Sequence, residues 1–72
     1  MSEWISVKTE LPGIEKHVIT YCKMMGGSEW YIDINRRNGN VRTDWWSDRY
    51  DEPVRVSHWK HLPDPPKETA NE

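Results

Sequence analysis

Residues 30–40 have the sequence Trp-Tyr-Ile-Asp-Ile-Asn-Arg-Arg-Asn-Gly-Asn, which joins an alternating segment to a turn signal. In a β-strand successive side chains point to opposite faces, so the apolar residues at 30, 32 and 34 share one face. Asn38-Gly39 is a strong hairpin signal because both residues tolerate the positive φ of a two-residue turn. The stretch therefore predicts a half-buried antiparallel strand that turns back at Asn38-Gly39.

The turn also predicts a pairing register with the strand that follows. If Asn38 and Gly39 form the loop, Arg37 pairs with Asn40. Counting back along both strands gives the pairs Ile34 with Thr43, Ile32 with Trp45, and Tyr31 with Trp46. The predicted buried face carries Trp30, Ile32, Ile34, Val41, Thr43 and Trp45. The predicted opposite face carries Tyr31, Asp33, Asn35, Arg42, Asp44 and Trp46.

Further strands are predicted on both sides of this hairpin. Residues 17–23 are dense in β-branched and aromatic side chains, 54–58 alternate, and 4–8 alternate weakly. The face of the strand at 17–23 stays open. A connecting loop with an even number of residues places Ile19 and Tyr21 on the Trp30 face, whereas an odd number places Val18, Thr20 and Cys22 there.

The size and aromatic content of the chain indicate one small domain. The 72 residues include five Trp and three Tyr but no Phe, and Trp supplies a large apolar area to a thin core that stays near water. We predict a mostly β domain over residues 1–66, with an antiparallel sheet of three to five strands in meander order and the termini packed together. Residues 67–72 are polar and unpatterned, and we predict that this tail is disordered.

Charge and composition argue against several classes of protein. The net charge is −2 with both signs mixed, and the lack of a concentrated basic face does not favour nucleic-acid binding. A single cysteine, Cys22, excludes an internal disulfide framework and fits a reducing compartment. There is no signal-peptide pattern and no apolar run of the ~20 residues that a membrane helix needs. We expect a cytoplasmic protein.

No group of residues predicts catalysis, a metal site or a cofactor. His58 and His61 are three residues apart, but in a strand that leads into prolines they need not converge on a metal. Asp33 and Asp44 become cross-strand neighbours in the predicted register, and a solvated network with Arg42 is the expected explanation. We therefore do not expect an enzyme.

The two ends of the chain carry motifs that resemble a known family. These motifs are Trp4-Ile5-Ser6-Val7-Lys8 with Leu11-Pro12 and Val18-Ile19, and then Val56-Ser57-His58-Trp59 with Leu62-Pro63-Asp64-Pro65-Pro66. Over residues 4–66 the chain resembles small phage and prophage proteins known as domain of unknown function 551. The resemblance implies a phage or bacterial-prophage origin and a compact β-rich domain, with no established catalytic residues. The chain departs from the family pattern at Lys60-His61, where a hydrophobic residue and a proline are usual.

Two groups of side chains are candidates for binding or for closing the fold. The candidate binding surface combines the predicted polar face with an acidic loop: Tyr31, Asp33, Arg42, Asp44, Trp46, Asp48, Asp51 and Glu52. Alternatively, the amino-terminal arm or the proline-rich exit covers Tyr31 and Trp46, which then form a second small core. A predicted clasp between the chain ends consists of Trp4, Trp59, Leu62 and Pro63, although Asp64-Pro65-Pro66 could instead be a peptide ligand for another protein.

Two functions follow from these candidates. The first is a non-catalytic accessory protein of a phage or prophage that binds a host or phage protein. The alternative is a small-ligand binder in which Trp rings stack on a nucleotide base and Arg36, Arg37 or Arg42 meet its phosphates. Because one chain of this length offers little concave volume, the alternative requires a homo-oligomer.

Overall fold

The computed structural model describes residues 3–63, which form five β-strands. They are β1 (Ile5–Ser6), β2 (Val18–Met24), β3 (Tyr31–Arg37), β4 (Trp45–Ser47) and β5 (Glu52–Lys60). All strand pairings are antiparallel, so the predicted β fold is confirmed. This part of the chain has no helix that could cross a membrane. Asp64-Pro65-Pro66 and the tail at 67–72 lie outside the described residues.

Strands β2 to β5 follow one another in meander order, and β5 then pairs back with β2, so that the four strands form a closed ring. β2 pairs with β3, β3 with β4, and β4 with β5, while β5 also pairs with β2. β1 joins β5 through the pairs Ile5 with Trp59 and Ser6 with His58. The beginning of the described chain therefore lies beside its end. Ring closure also leaves less unpaired sheet edge than an open meander would.

A β-bulge in β5 decides which of its side chains face inward. Tyr21 pairs with His58 but Cys22 pairs with Val56, so Ser57 is the extra residue opposite β2. A bulge shifts the alternation of a strand by one residue. In a regular strand, two residues whose numbers differ by an odd value point to opposite faces. Because of the bulge, Val54 and Trp59 are both buried.

The predicted register between β3 and β4 is wrong. The observed pairs are Arg36 with Trp46 and Arg37 with Trp45, so the connection is a seven-residue loop from 38 to 44. Asn38 N donates a hydrogen bond to Asp44 O at 2.6 Å, which closes this loop. Gly39 does adopt a positive φ of 87°, but within the longer loop and not in a two-residue turn. The Asn-Gly signal thus located the turn without setting its length.

The face prediction for β3 is wrong as well. The side chains predicted to be buried at Ile32 and Ile34 are 63% and 46% exposed, whereas Asn35, predicted to lie on the opposite face, is completely buried. Of the other predicted core residues, Trp45 is buried, Thr43 is half-buried, and Trp30 and Val41 are exposed. The true register differs from the predicted one by an odd number of residues, so Trp45 shares its face with Asn35 and not with the isoleucines.

Polar side chains of β3 can be buried inside the ring of strands because they form hydrogen bonds there. Asn35 Nδ2 donates to Thr20 Oγ1 at 2.6 Å and to Cys22 Sγ at 3.3 Å. Thr20 Oγ1 in turn donates to the carbonyl oxygen of Asp33 at 2.9 Å. A hydrogen-bonded polar group costs far less to bury than an unsatisfied one. Asn35 Oδ1 makes no hydrogen bond with the described residues.

The open question about β2 is settled by its pairing with β3. Tyr21 lies opposite Ile32 and Ile19 opposite Ile34, as expected for an even connecting loop. Ile19 and Tyr21 therefore share the outward face of β3, and the inward face of β2 carries Val18, Thr20 and Cys22. The core consists of Val18, Cys22, Trp45, Val54 and Trp59.

Candidate interaction surface

The eight residues predicted to form a binding surface do not come together on one face. Tyr31 and Asp33 point into the ring and are half-buried, as is Trp46 in β4. Arg42 and Asp44 belong to the loop at 38–44, whereas Asp48 and Asp51 lie in the turn between β4 and β5, and Glu52 is the first residue of β5. Asp33 and Asp44 are not cross-strand neighbours, because Asp44 lies in the loop at 38–44, and their ion pairs are formed with arginines other than the predicted Arg42. Arg49 Nε lies 3.4 Å from Asp33 Oδ2, and Arg37 Nε lies 2.7 Å from Asp44 Oδ2.

Tyr31 is a structural residue in this arrangement. Its hydroxyl donates a hydrogen bond to Met24 Sδ at 3.2 Å, and its ring packs against the buried core. Burial, followed by the nearby Cys22 thiol, raises the pKa of Tyr31 to about 12. The predicted second small core of Tyr31 and Trp46 is therefore not present, because Tyr31 packs against the main core inside the ring of strands and Trp46 does not belong to that core.

The acidic turn is held in an exposed ion-pair network. Asp48 accepts hydrogen bonds from Arg36 Nε at 3.1 Å and shares a contact of 2.7 Å with His17 Nε2. Arg36 Nη1 also donates to Glu15 Oε1 at 2.8 Å. The hydrogen bonds from Arg36 and then His17 hold the pKa of Asp48 below its ordinary value. This network ties the turn to the segment before β2.

The four predicted clasp residues have different roles. Trp59 is only 1% exposed, and its Nε1 donates to the carbonyl oxygen of Glu10 at 2.9 Å, which joins β5 to the amino-terminal segment. Trp4 lies edge to face with Tyr21, 6.5 Å between ring centroids, on the outside of the sheet. Leu62 and Pro63 are exposed. Trp59 therefore links the two ends from inside the fold, and Trp4 belongs to another surface.

That surface, which we call the outer aromatic face, covers the outward side of β2, β3 and β5. It consists of Trp4, Tyr21, Trp30, Ile32 and Ile34. Tyr21 and Trp30 stack with ring centroids 5.3 Å apart and an interplanar angle of 18°. Trp4, Tyr21 and Ile32, with His58, line an open groove. The alternation in residues 30–34 predicted that Trp30, Ile32 and Ile34 share one face. That face was assigned to the core because apolar side chains are usually buried, whereas in the structure it points outward.

Four cationic side chains border the outer aromatic face, and we call them the cationic rim: Lys8, Lys23, Arg55 and Lys60. Lys23 Nζ lies 5.3 Å from the centre of the Trp30 ring, and Lys60 Nζ lies 4.9 Å from the centre of the Trp4 ring. Lys8, Lys23 and Arg55 line a second groove that adjoins the first at His58. Within residues 3–63, no carboxylate lines either groove.

The register and the bulge together assemble this surface. Lys23 pairs with Arg55, while the one-residue shift at Ser57 turns His58 and Lys60 outward beside Tyr21 and Ile19. The rim residues are far apart in sequence, so they do not form a basic cluster along the chain. Sequence reasoning missed the rim because strand pairing alone brings these positions together.

The chemistry of the surface is suited to binding. Exposed aromatic and aliphatic side chains lose water favourably when they are covered, and the rim supplies fixed positive charge beside them. The described residues contain no cluster of three or more His, Cys, Asp or Glu able to hold a metal ion. Arg36 and Arg37, predicted as phosphate ligands, are both engaged by carboxylates of the same chain.

Comparison with known proteins places the chain in a family. The family described as protein of unknown function (DUF551) matches residues 3–67, and the chain belongs to it. The matched range contains residues 4–66, over which the resemblance was predicted. No curated protein and no solved structure matches the chain.

Proposed function

We propose that this chain is a non-catalytic accessory protein of a phage or prophage that binds a host or phage protein through the outer aromatic face. The observation that carries this proposal is the exposure of Ile32 and Ile34 beside three large aromatic rings. A 72-residue protein gains little stability from apolar side chains left in water, and contiguous exposed apolar patches are typical of interaction sites. Aromatic side chains are also the commonest anchors of protein interfaces.

The alternative of a nucleotide-like ligand has less support. Arg36 and Arg37 already pair with Asp48, Glu15 and Asp44, so a phosphate would have to compete with carboxylates of the same chain. The Trp45 ring is buried in the core. A thermal-shift screen with nucleotides should therefore leave the melting temperature unchanged.

Site-specific photo-crosslinking in bacterial cells that carry the gene in its phage or prophage setting tests the proposed function. Ile32 is replaced by p-benzoylphenylalanine, and crosslinked proteins are identified by mass spectrometry. We expect one protein to be crosslinked from position 32, because this exposed side chain lines the groove of the outer aromatic face beside Trp4 and Tyr21. Self-crosslinked dimers would indicate a second copy as the occupant.

The control places the same photo-crosslinker at position 41. Val41 is 99% exposed in the loop at 38–44 and is not part of the outer aromatic face. A partner crosslinked equally from both positions, or no partner at position 32 in folded protein, would contradict the proposal. A second variant, Ile32→Glu, should abolish capture of the partner while leaving the melting temperature close to that of the wild type.

A further inference from the structure

We infer that the partner covers the outer aromatic face with an acidic segment, in which carboxylates meet the cationic rim and an apolar side chain enters the groove at Tyr21 and Ile32. The inference rests on the proposed function and specifies the chemistry of the partner. It follows from the distribution of charge over the described residues and from the two adjoining grooves.

The charges of this chain are divided between two regions. Arg36, Arg37 and Arg49 form ion pairs with carboxylates. By contrast, no member of the cationic rim forms a salt bridge with a carboxylate of residues 3–63. Although the whole chain carries a net charge of −2, the second groove is therefore lined by Lys8, Lys23 and Arg55 without a carboxylate among its lining residues. An approaching acidic surface is attracted by this arrangement.

The same charges argue against a second copy of this chain as the occupant. In a two-fold dimer through the outer aromatic face, each subunit would present the same patch to the other. The rims would then bring lysines and arginines close together without intervening carboxylates. Like charges that face each other across an interface are unfavourable. The complementary occupant must supply negative charge.

The geometry of the rings favours an acidic protein segment over single-stranded nucleic acid. Bases bind by stacking on exposed aromatic faces. The Trp30 ring already has Tyr21 stacked on it and Lys23 over it, and Lys60 lies over the Trp4 ring. Within the outer aromatic face, the aliphatic side chains Ile32 and Ile34 are more exposed than Tyr21 and Trp30. Aliphatic side chains contribute to a protein interface through burial but offer no stacking surface to a base.

A charge-swap experiment tests the inference with defined probes. Two short synthetic peptides share the same Trp and Leu positions but carry either Glu or Lys at the remaining positions, and oligothymidylate is the third probe. Binding is followed by amide chemical shifts of the isotope-labelled protein. We expect the Glu peptide alone to bind the wild type, with shifts at Tyr21, Lys23, Ile32 and Arg55, and its affinity to fall by about tenfold at high salt because rim charges are screened.

The variant Lys23→Glu/Arg55→Glu should lose the Glu peptide and gain the Lys peptide. A reversal of preference cannot result from unfolding, so it distinguishes a binding role from a structural one. The control Lys16→Glu/Arg42→Glu makes the same change in net charge outside both grooves, and it should bind like the wild type.

Any result other than selective binding of the Glu peptide to the wild type contradicts the inference. Equal binding of both peptides would show that the face selects apolar side chains without regard to charge. Binding of oligothymidylate in place of the Glu peptide would assign the surface to nucleic acid. If the Glu peptide fails to bind while position 32 still crosslinks a cellular protein, the acidic segment is wrong and the proposed function stands. If position 32 also crosslinks nothing, both fail.

Discussion

Asp48 is the residue through which pH should act most directly on the fold. Its pKa is lowered by hydrogen bonds from Arg36 and then His17, so the ionised carboxylate is favoured in the folded state. A group with a lowered folded-state pKa stabilises the protein above its unfolded-state pKa, near 4 for Asp. The contribution is lost as the pH falls through the lower folded-state value. Because the side chain is half exposed, the effect should be small.

The variant Asp48→Asn tests whether the Asp48 carboxylate stabilises the fold in this pH-dependent way. We expect the wild type to melt at a higher temperature than the variant near neutral pH, and the difference to shrink as the pH falls below about 4. Thermal unfolding followed by circular dichroism over this range measures it. Asp51→Asn is the control because Asp51 forms no ion pair with the described residues. A difference that grows on acidification would contradict the assignment.

Individual residues also show where sequence reasoning reached its limit. The alternation at residues 30–35 correctly indicated a strand, yet Asn35 is inside and Ile32 outside. Polar side chains are normally assigned to the solvent side because burial costs free energy. In this protein Thr20 and Cys22, from the neighbouring strand, provide hydrogen-bond partners for Asn35. Only the pairing of β2 with β3 reveals that these partners exist.

At the scale of elements, the loop at 38–44 depends on one carboxylate. Asp44 Oδ1 accepts a hydrogen bond from Gly39 N at 2.8 Å, and Asp44 Oδ2 accepts one from Arg37 Nε at 2.7 Å. Arg37 Nη1 also reaches the carbonyl oxygen of Pro12 at 2.8 Å. One side chain therefore connects the loop to β3, and through Arg37 to the segment before β2.

Replacing this carboxylate should weaken the fold measurably. We expect Asp44→Ala to lower the free energy of unfolding by about 1–3 kcal/mol, the range for losing hydrogen bonds to a charged group. Urea denaturation gives this value, and hydrogen exchange should show faster exchange of the Gly39 amide. Glu29→Ala, in another exposed loop, is the matched control and should change stability by less than about 0.5 kcal/mol. Equal stability of both variants would indicate that the loop forms without its carboxylate.

The bulge at Ser57 is the second element that decides the surface. It allows one strand to place Val54 and Trp59 in the core and yet turn His58 and Lys60 outward. The alternation over residues 54–58 gave no sign of the bulge at Ser57. A bulge depends on pairing with a partner strand, so the residues of β5 alone could not predict it.

For the molecule as a whole, Trp59 is the side chain that connects most parts of the fold. It lies in β5, its backbone is opposite Thr20 of β2 and Ile5 of β1, and its indole donates to the Glu10 carbonyl oxygen. The ring belongs to a core of only five buried apolar side chains. The closure of the chain and the burial of its core therefore depend on the same residue.

We expect Trp59→Ala to cost about 3 kcal/mol or more and to unfold most of this small domain, because a large cavity would replace the ring. Trp59→Phe keeps most of the apolar volume but loses the hydrogen bond to Glu10, so its cost should be intermediate. Chemical denaturation of the two variants checks this order. If Trp59→Ala stays as stable as the wild type and loses only partner capture, Trp59 belongs to the binding site and not to the core.

The β fold, the strands near 17–23, 30–35 and 54–58, the packing of the first described residues beside the last, and the family were all predicted from the sequence. These features depend on local alternation, β-branched residues and motifs that are visible in a single segment. Three features became clear only in the folded protein: the length of the loop at 38–44, the inward face of β3, and the convergence of Lys8, Lys23, Arg55 and Lys60. Strand register, closure of the sheet and the Ser57 bulge depend on how two segments pair with each other, so the residues of one segment cannot predict them. A change of one residue in register reverses every side chain between core and surface.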